Sequence, residues 1–385
     1  MKLIHCADLH LDSRLHTHLN REQAKLRRDE LLRNFDRLAD YASEHCVEVI
    51  LIAGDLFDRD SVSALTRNVV LSVIKAHPRI RFYYLRGNHD KADCLGSGAP
   101  GAEELPANLF LFGSRWKTYK EGINGAVAIS GIELTRENSS QAASSLRLDP
   151  ACFNIVMLHG QTEMSAGPDG SGNTFRNADM PRAEGIGTVR LRALRGKGID
   201  YLALGHIHSW KKDALDGRGI YCYPGCLEGR GFDECGPHGF ALLEIDEKTL
   251  SMSQKFIPFA QRILYAVEAD VTGCSTTAQM ERVVVRSLAD SGCTGKDMAD
   301  VTLCGELDVD CEKDTQYLAQ GLAGRCFFAR LRDRTSLRID PENYLYDTSL
   351  RGEFVRTVME DDSIPEEEKS AVIRWGFCAM DGEKL

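Results

Sequence analysis

The chain has 385 residues, 43% of them hydrophobic, and a formal net charge of −10. That length asks for more than one domain, or one large domain with an appendage, and supplies enough apolar residues for a full core. No run of about 18 apolar residues occurs, which excludes a transmembrane helix, and the acidic balance works against broad electrostatic capture of nucleic acid.

A first apolar strand at Leu3-Ile4 runs into Asp8-Leu9-His10. A helix is expected over residues 20–44, with Leu31, Phe35, Leu38 and Ala42 forming a stripe at i, i+4, i+7 and i+11. Its alternating Arg, Lys, Glu and Asp read as a solvated face. Val49-Ile50-Leu51-Ile52 then leads into Gly54-Asp55 and Asp58, and a second helix over 63–76 places Leu65, Val69 and Val73 at i, i+4 and i+8. Phe82-Tyr83-Tyr84-Leu85 leads into Gly87-Asn88-His89-Asp90, and residues 108–112 and 126–134 read as further strands. Ile155-Val156-Met157-Leu158 leads into His159, and Tyr201-Leu202-Ala203-Leu204 into Gly205-His206-Ile207-His208. Short apolar runs of this kind are buried strands, and an alternation of strand and helix is a layered α/β pattern. Between them, residues 161–186 read as a long loop and 188–197 as a helix.

Strands over 220–223, 239–245 and 251–257 close the first domain, with Pro258 as its boundary. A strand–helix–strand–helix–strand unit follows, with strands at 263–271, 301–307 and 325–332 and helices at 277–289 and 315–323. From about Ser336 the tail ends in two helices. Leu350, Phe354 and Val358 stripe one; Ser363 with Glu366 gives the other a capping-box signature ahead of Val372, Trp375 and Ala379. The expected domains are therefore 1–258, 259–335 and 336–385.

In an open α/β sheet, ligands sit beyond the carboxyl ends of the strands. One sheet edge would therefore gather Asp8, Asp55, Asn88, His10, His159, His206 and His208. A lone Asp-x-His or His-x-His carries little weight, but a series of such islands in order, most of them following an apolar run, points to a metal site. Imidazole and carboxylate without thiolate suit zinc, manganese or iron(II), and argue against a structural zinc site. Two such ions can hold the attacking and leaving oxygens of a phosphoester displacement. Cys222-x3-Cys226 lacks a second pair at zinc-ribbon spacing and reads as two small buried hydrophobes. His5 reads as a strand residue, and His16 and His18 as loop residues. The thirteen scattered cysteines read as reduced thiols. With no signal-peptide pattern at the N-terminus, they suggest a cytoplasmic protein.

At these residues the chain resembles the calcineurin-like metallophosphoesterase superfamily. His10-Leu11-Asp12-Ser13, the run from Asp200 to His208 and Tyr223-Pro224-Gly225 resemble its SbcD branch of DNA-repair nucleases. The stretch from Glu228 to Glu234, Gly239-Phe240 and Leu350-Arg351-Gly352-Glu353-Phe354 are similar to the YhaO-like group within it. Motif likeness is strong over about 1–245 and weak beyond. The resemblance implies a four-layer core of mixed β sheets flanked by helices, with a smaller α/β capping domain and C-terminal helices. Asp8, His10 and His208 would hold one metal, Asn88, His159 and His206 a second, and Asp55 would bridge them. His89 would act on the substrate without binding metal, and Asp58 and Asp90 would orient ligands from behind. Two divalent ions, manganese by family preference, and a metal-activated water cleaving DNA are implied. So is an ATPase subunit of the SbcC or YhaN kind as partner, with a homodimer compatible and no membrane. Two other functions stay open on the residues alone: a phosphatase or phosphodiesterase for small molecules, and a regulatory subunit of an SMC- or AAA-type ATPase. Arg14 and Cys226 depart from the branch pattern and bear on substrate preference.

Overall fold

The computed structural model describes residues 1–15, 19–58, 62–91, 94–95, 104–163, 187–309 and 311–380, without the side chains of 367 and 378. His16, His18 and most of the loop expected at 161–186 lie outside the described residues. Contacts divide the chain into two compact units, Met1–Ile263 and Leu264–Leu385.

The first unit is built on two six-stranded sheets. Strands β1 (Lys2–Cys6), β2 (Val49–Ala53), β3 (Arg81–Leu85) and β4 (Leu109–Leu111) run parallel, and the antiparallel hairpin Gly239–Asp246 and Ser251–Pro258 extends the sheet beyond β1. In the second sheet, β6 (Val127–Gly131), β7 (Phe153–His159), Tyr201–Gly205 and Ile220–Tyr223 run parallel. Two antiparallel edge strands, β5 (Lys117–Glu121) and Lys211–Ala214, flank them; neither is foreshadowed by an apolar run, because edge strands need not be apolar.

Alternation along each strand sorts the core into layers. Leu3, Leu51, Tyr83, Ile129, Ile155 and Ala203 point between the two sheets. Ile4, Ile50, Ile52 and Phe82 point outward, under helices α1 (Arg21–Glu44) and α2 (Ala64–Ala76). On the other side Val156, Leu158, Leu202 and Leu204 meet Leu146, Leu194 and Ile199. This is the helix–sheet–sheet–helix arrangement expected. Both faces of the central strands are covered, which explains why they read as continuous apolar runs.

Local departures have physical causes. The α1 stripe is buried as expected, and Asn20 caps the helix by accepting from Gln23 N at 2.8 Å. On α2 the buried stripe is Thr66, Val70, Val73 and Ile74, while Leu65 is 71% exposed. Apolar residues at 69, 70, 71, 73 and 74 satisfy two adjacent helical registers, and packing selects the second. Residues 188–197 form a two-residue strand, Thr188–Val189, and one helical turn, Leu191–Leu194, in place of the longer helix. Thr188–Val189 pairs with Gln161–Thr162.

The second unit has three parallel strands, Leu264–Asp270, Met298–Cys304 and Phe328–Asp333. Helices Thr277–Ser291 and Thr315–Leu322 pack on one face through Val267, Ala269, Val301, Leu303, Met280 and Leu318. Helices Leu350–Glu360 and Glu366–Met380 enclose a small core of Val355, Val358, Ile373 and Phe377. Here too the buried stripes are shifted from those expected, with Leu350 and Trp375 exposed. The last helix begins at Glu366, three residues past Ser363, whose hydroxyl donates to Asp361 Oδ1 at 2.6 Å.

The parallel strands end side by side, and glycine lets the two sheets close at that edge. A Cβ on Gly205 would lie 1.9 Å from the Ala53 carbonyl oxygen and 2.8 Å from His159 Nδ1. Gly205→Ala must therefore push β2 away from the opposing sheet. The expected cost is about 2–3 kcal/mol, read as a melting temperature lowered by roughly 5–10 °C. An unchanged melting temperature would contradict this account of the sheet edge.

Candidate metal centre

Each of the proposed ligands lies at or just past a strand end. Asp8 follows β1, Asp55 follows β2, Asn88 follows β3, His159 closes β7 and His206 follows Tyr201–Gly205. Backbone strain is concentrated here: Asp8 (φ 52°), His10 (φ 45°), Asp55 (φ 49°) and His206 (φ 105°) all take positive φ. Such conformations cost of order 1–3 kcal/mol in a non-glycine residue, somewhat less for Asp, and persist where the surroundings impose them.

The side chains form two adjoining groups. In the first, Asp8, His10 and His208 present ligand atoms within 4.8 Å of one another. His10 Nε2 and His208 Nε2 face each other at 3.1 Å. In the second, Asp55, His159 and His206 do the same. Asn88 Oδ1 joins it, 3.0 Å from His159 Nε2 and 3.1 Å from His206 Nδ1. Asp55 reaches both: its Oδ2 lies 3.3 Å from His159 Nε2 and 3.9 Å from His10 Nε2. Its Oδ1 accepts from His89 N at 2.8 Å.

Tautomers follow from the partners. His159 Nδ1 lies 2.9 Å from the Ala53 carbonyl, which only accepts, so Nδ1 carries a hydrogen and Nε2 faces inward, where it offers a lone pair once its own proton is lost. His208 Nδ1 lies 2.6 Å from Glu234 Oε1, and His10 Nδ1 2.9 Å from Asp58 Oδ1. The carboxylate beside each Nδ1 favours the hydrogen there and turns both Nε2 atoms inward as acceptors, although the His10–Asp58 contact is too poorly aligned to be a hydrogen bond. Lone pairs of three imidazoles, an amide oxygen and two carboxylates thus converge, an arrangement that only protons or cations relieve. Two nitrogens about 2.1 Å from one ion at adjacent vertices stand roughly 3 Å apart, which matches the His10–His208 spacing.

Charge responds accordingly. Burial opposes ionisation of Asp55, but His159, His10 and His89 outweigh it and hold its carboxyl well below the usual range. Burial pushes Asp8 up to about 6, with His159 and His208 pulling it back. Burial lowers His10 and His206 to about 4. Against its own burial, Asp55 and Asp8 raise His159 to about 9.

Asp58 and Asp90 lie behind this cluster. Asp90 accepts from Leu56 N, Phe57 N and Gly87 N at 2.9–3.2 Å and so ties the Asp55 loop to the Asn88 loop. Asp58 is 2.9 Å from Arg230 Nη1 and 3.8 Å from His89 Nδ1. His10, Asp58 and His89 also come within 4.8 Å, but the Arg230 cation already neutralises Asp58 and makes this a poor third site. His89, its side chain 39% exposed, stands edge-on to His10 with ring centroids 4.9 Å apart, at the open side of the cluster.

His5 is a buried strand residue against the Tyr201 hydroxyl at 2.8 Å. Cys222 contacts Gln254, and buried Cys226 contacts His238 Nδ1 at 3.1 Å and Glu234, so the two share no site. Neither Arg230 nor Glu234 carries a role legible in the sequence, although both lie in the distinctive stretch from Glu228 to Glu234. Among the described residues every cysteine is a free thiol, and no helix is long and apolar enough to cross a membrane.

A family model described as calcineurin-like phosphoesterase matches residues 1–210. The uncharacterized metallophosphoesterase YhaO of Bacillus subtilis (strain 168) is 31% identical over 265 residues, 65% of this chain and 59% of that protein. The DNA double-strand break repair protein Mre11 of Saccharolobus solfataricus is 27% identical over 227 residues, 56% of this chain and 52% of that protein. The SbcD component of the nuclease SbcCD of Escherichia coli (strain K12) is 25% identical over 318 residues, 73% of this chain and 74% of that protein. The chain thus spans little more than half the length of the first two relatives.

Cation binding must displace the proton that Asp55 and Asp8 retain on His159. Divalent-ion affinity should therefore rise with pH between 6 and 8, by up to about tenfold per unit for each proton released, and level off near pH 9. Calorimetric titration with manganese in buffers of different ionisation enthalpy reads the released protons directly. Affinity independent of pH, with no proton release, would contradict the protonated His159.

Proposed function

The chain belongs to the calcineurin-like phosphoesterase family, hydrolases of ester bonds, and on that premise we propose that it is a metal-dependent DNA exonuclease acting in cytoplasmic DNA repair. The observation that carries this reading is the pair of acceptor groups joined by Asp55 Oδ2, with a half-buried His89 beside them.

On this reading Asp8, His10 and His208 hold one divalent ion and Asn88, His159 and His206 the other, with Asp55 shared and manganese the favoured metal. When bound, the ions would supply Lewis acidity that activates a water and offsets charge on the phosphoryl oxygens. The protein's own part is positional. The Asp55 carboxylate fixes the His89 backbone at 2.8 Å, which aims the imidazole over the site as a proton donor to the leaving oxygen. Asp58 Oδ1, 3.8 Å from His89 Nδ1, places a carboxylate charge beside that ring.

DNA as substrate is supported by the names of the relatives, not by charge. At a net charge of −10 the chain gains little from counterion release, so an ATPase subunit of the SbcC or YhaN kind is proposed to supply much of the grip on DNA. Tyr346, Leu350 and Trp375, 94%, 73% and 63% exposed, support a partner docking on the C-terminal helices. Residues 1–258 would carry the nuclease, 259–335 a capping domain and 336–385 this docking tail.

End-labelled duplex DNA with manganese, with magnesium and without metal tests the substrate, against a nitrophenyl phosphoester as control. Metal-dependent shortening of the DNA is expected; turnover of the small ester alone would favour a phosphatase. His89→Gln should lower turnover by about 10²–10⁴ while leaving two ions per chain. Parallel loss of metal would make His89 a ligand and defeat its assigned role.

A further inference from the structure

The segment between strands Ile220–Tyr223 and Gly239–Asp246 lies beyond the 1–210 match, yet it reaches into the first ligand group. Glu234, 6% exposed, places Oε1 2.6 Å from His208 Nδ1. A carboxylate only accepts, so this contact assigns the hydrogen to Nδ1 and turns Nε2 toward the site. Arg230 Nη2 also comes within 3.3 Å of that Nδ1, but the shorter charge-assisted contact to Glu234 decides the tautomer.

Glu234 is itself fixed. Arg230 donates to it twice, from Nη2 to Oε1 at 3.0 Å and from its backbone N to Oε2 at 2.7 Å, and the Cys226 thiol lies 3.7 Å from Oε2. The other arm of the guanidinium, Nη1, reaches Asp58 Oδ1 at 2.9 Å, and that same oxygen stands 2.9 Å from His10 Nδ1. One arginine therefore holds both carboxylates that back the two histidines of one group.

The loop is anchored in turn. Buried Glu228 accepts from Arg27 Nη1 at 2.8 Å, Asn34 Nδ2 at 2.6 Å and Gln261 N at 2.7 Å, and Arg27 Nη2 donates to the Gly229 carbonyl at 2.6 Å. The other ligand group does not use this device, since His159 is oriented by the backbone carbonyl of Ala53.

We propose that Arg230 and Glu234 are positioning residues that hold His10 and His208 as an Nε2-presenting pair, and so govern occupancy of the Asp8–His10–His208 metal site alone. This rests on the two-metal reading of the centre. Removing one such partner costs typically 10–100-fold in metal affinity.

The test is Glu234→Gln, titrated with manganese alone, alongside melting in chelator and kcat and KM on a phosphodiester. Wild type should bind two ions. The variant should keep one at wild-type affinity and bind the second 10–100-fold more weakly. Its kcat should fall with little change in KM, and raised manganese should restore it, as it would not for His89→Gln. Should Glu234→Gln fail to fold, Arg230→Lys carries the same test, because an ammonium cannot span Glu234 and Asp58 as the guanidinium fork does. Two ions at wild-type affinity in a folded variant would overturn the proposal and leave the two-metal reading standing. Equal weakening of both ions would also overturn it and mark a general structural role. Fewer than two ions in wild type would defeat the two-metal reading itself.

Discussion

Lone pairs crowded onto one point dominate this molecule. His10 Nε2 and His208 Nε2 face each other at 3.1 Å, and His159 Nε2 faces Asn88 Oδ1 at 3.0 Å and Asp55 Oδ2 at 3.3 Å. The other nitrogens of His159 and His208 are bonded to a carbonyl and a carboxylate, and that of His10 stands 2.9 Å from the Asp58 carboxylate. Asp55 and Asp8 raise His159 against its burial, so a proton can offset the crowded acceptors in place of a cation. No fold gathers four histidines, two aspartates and an asparagine, several on strained backbone, for the sake of stability alone.

The scaffold exists to sustain that crowding. Parallel strands deliver the loops to one edge, and a bare backbone at Gly205 allows the two sheets to meet there. From behind, Asp90 fastens two ligand loops through three backbone N–H groups, and Arg230 joins the carboxylates of Asp58 and Glu234. The buried Arg27–Glu228 contact carries this support out to α1. Breaking such a buried pair leaves an uncompensated charge, so the outer shell is held as firmly as the centre.

Much of the centre is legible in the sequence, because each ligand follows an apolar run or a glycine and the strand end fixes its place. Asp55 as the shared residue comes from the family resemblance; its Oδ2 lies 3.3 Å from His159 Nε2 and 3.9 Å from His10 Nε2. What the sequence hides depends on tertiary contact. Glu234 lies 26 residues from His208 and Asp58 172 from Arg230, and nothing in local spacing pairs them. The helical faces at Leu65, Leu350 and Trp375 differ from those expected because apolar residues there fit adjacent registers, and only packing chooses between them. The strands Lys117–Glu121 and Lys211–Ala214 leave no apolar signature because they lie at sheet edges.

The central claim is that these acceptors form a dinuclear cation site. Crystals grown with manganese and measured at an anomalous wavelength test it most directly. Two anomalous peaks about 3.5–4 Å apart are expected. One should be bounded by Asp8, His10 and His208, the other by Asn88, His159 and His206, with Asp55 between them. A single peak, or a peak held by His10, Asp58 and His89, would contradict it.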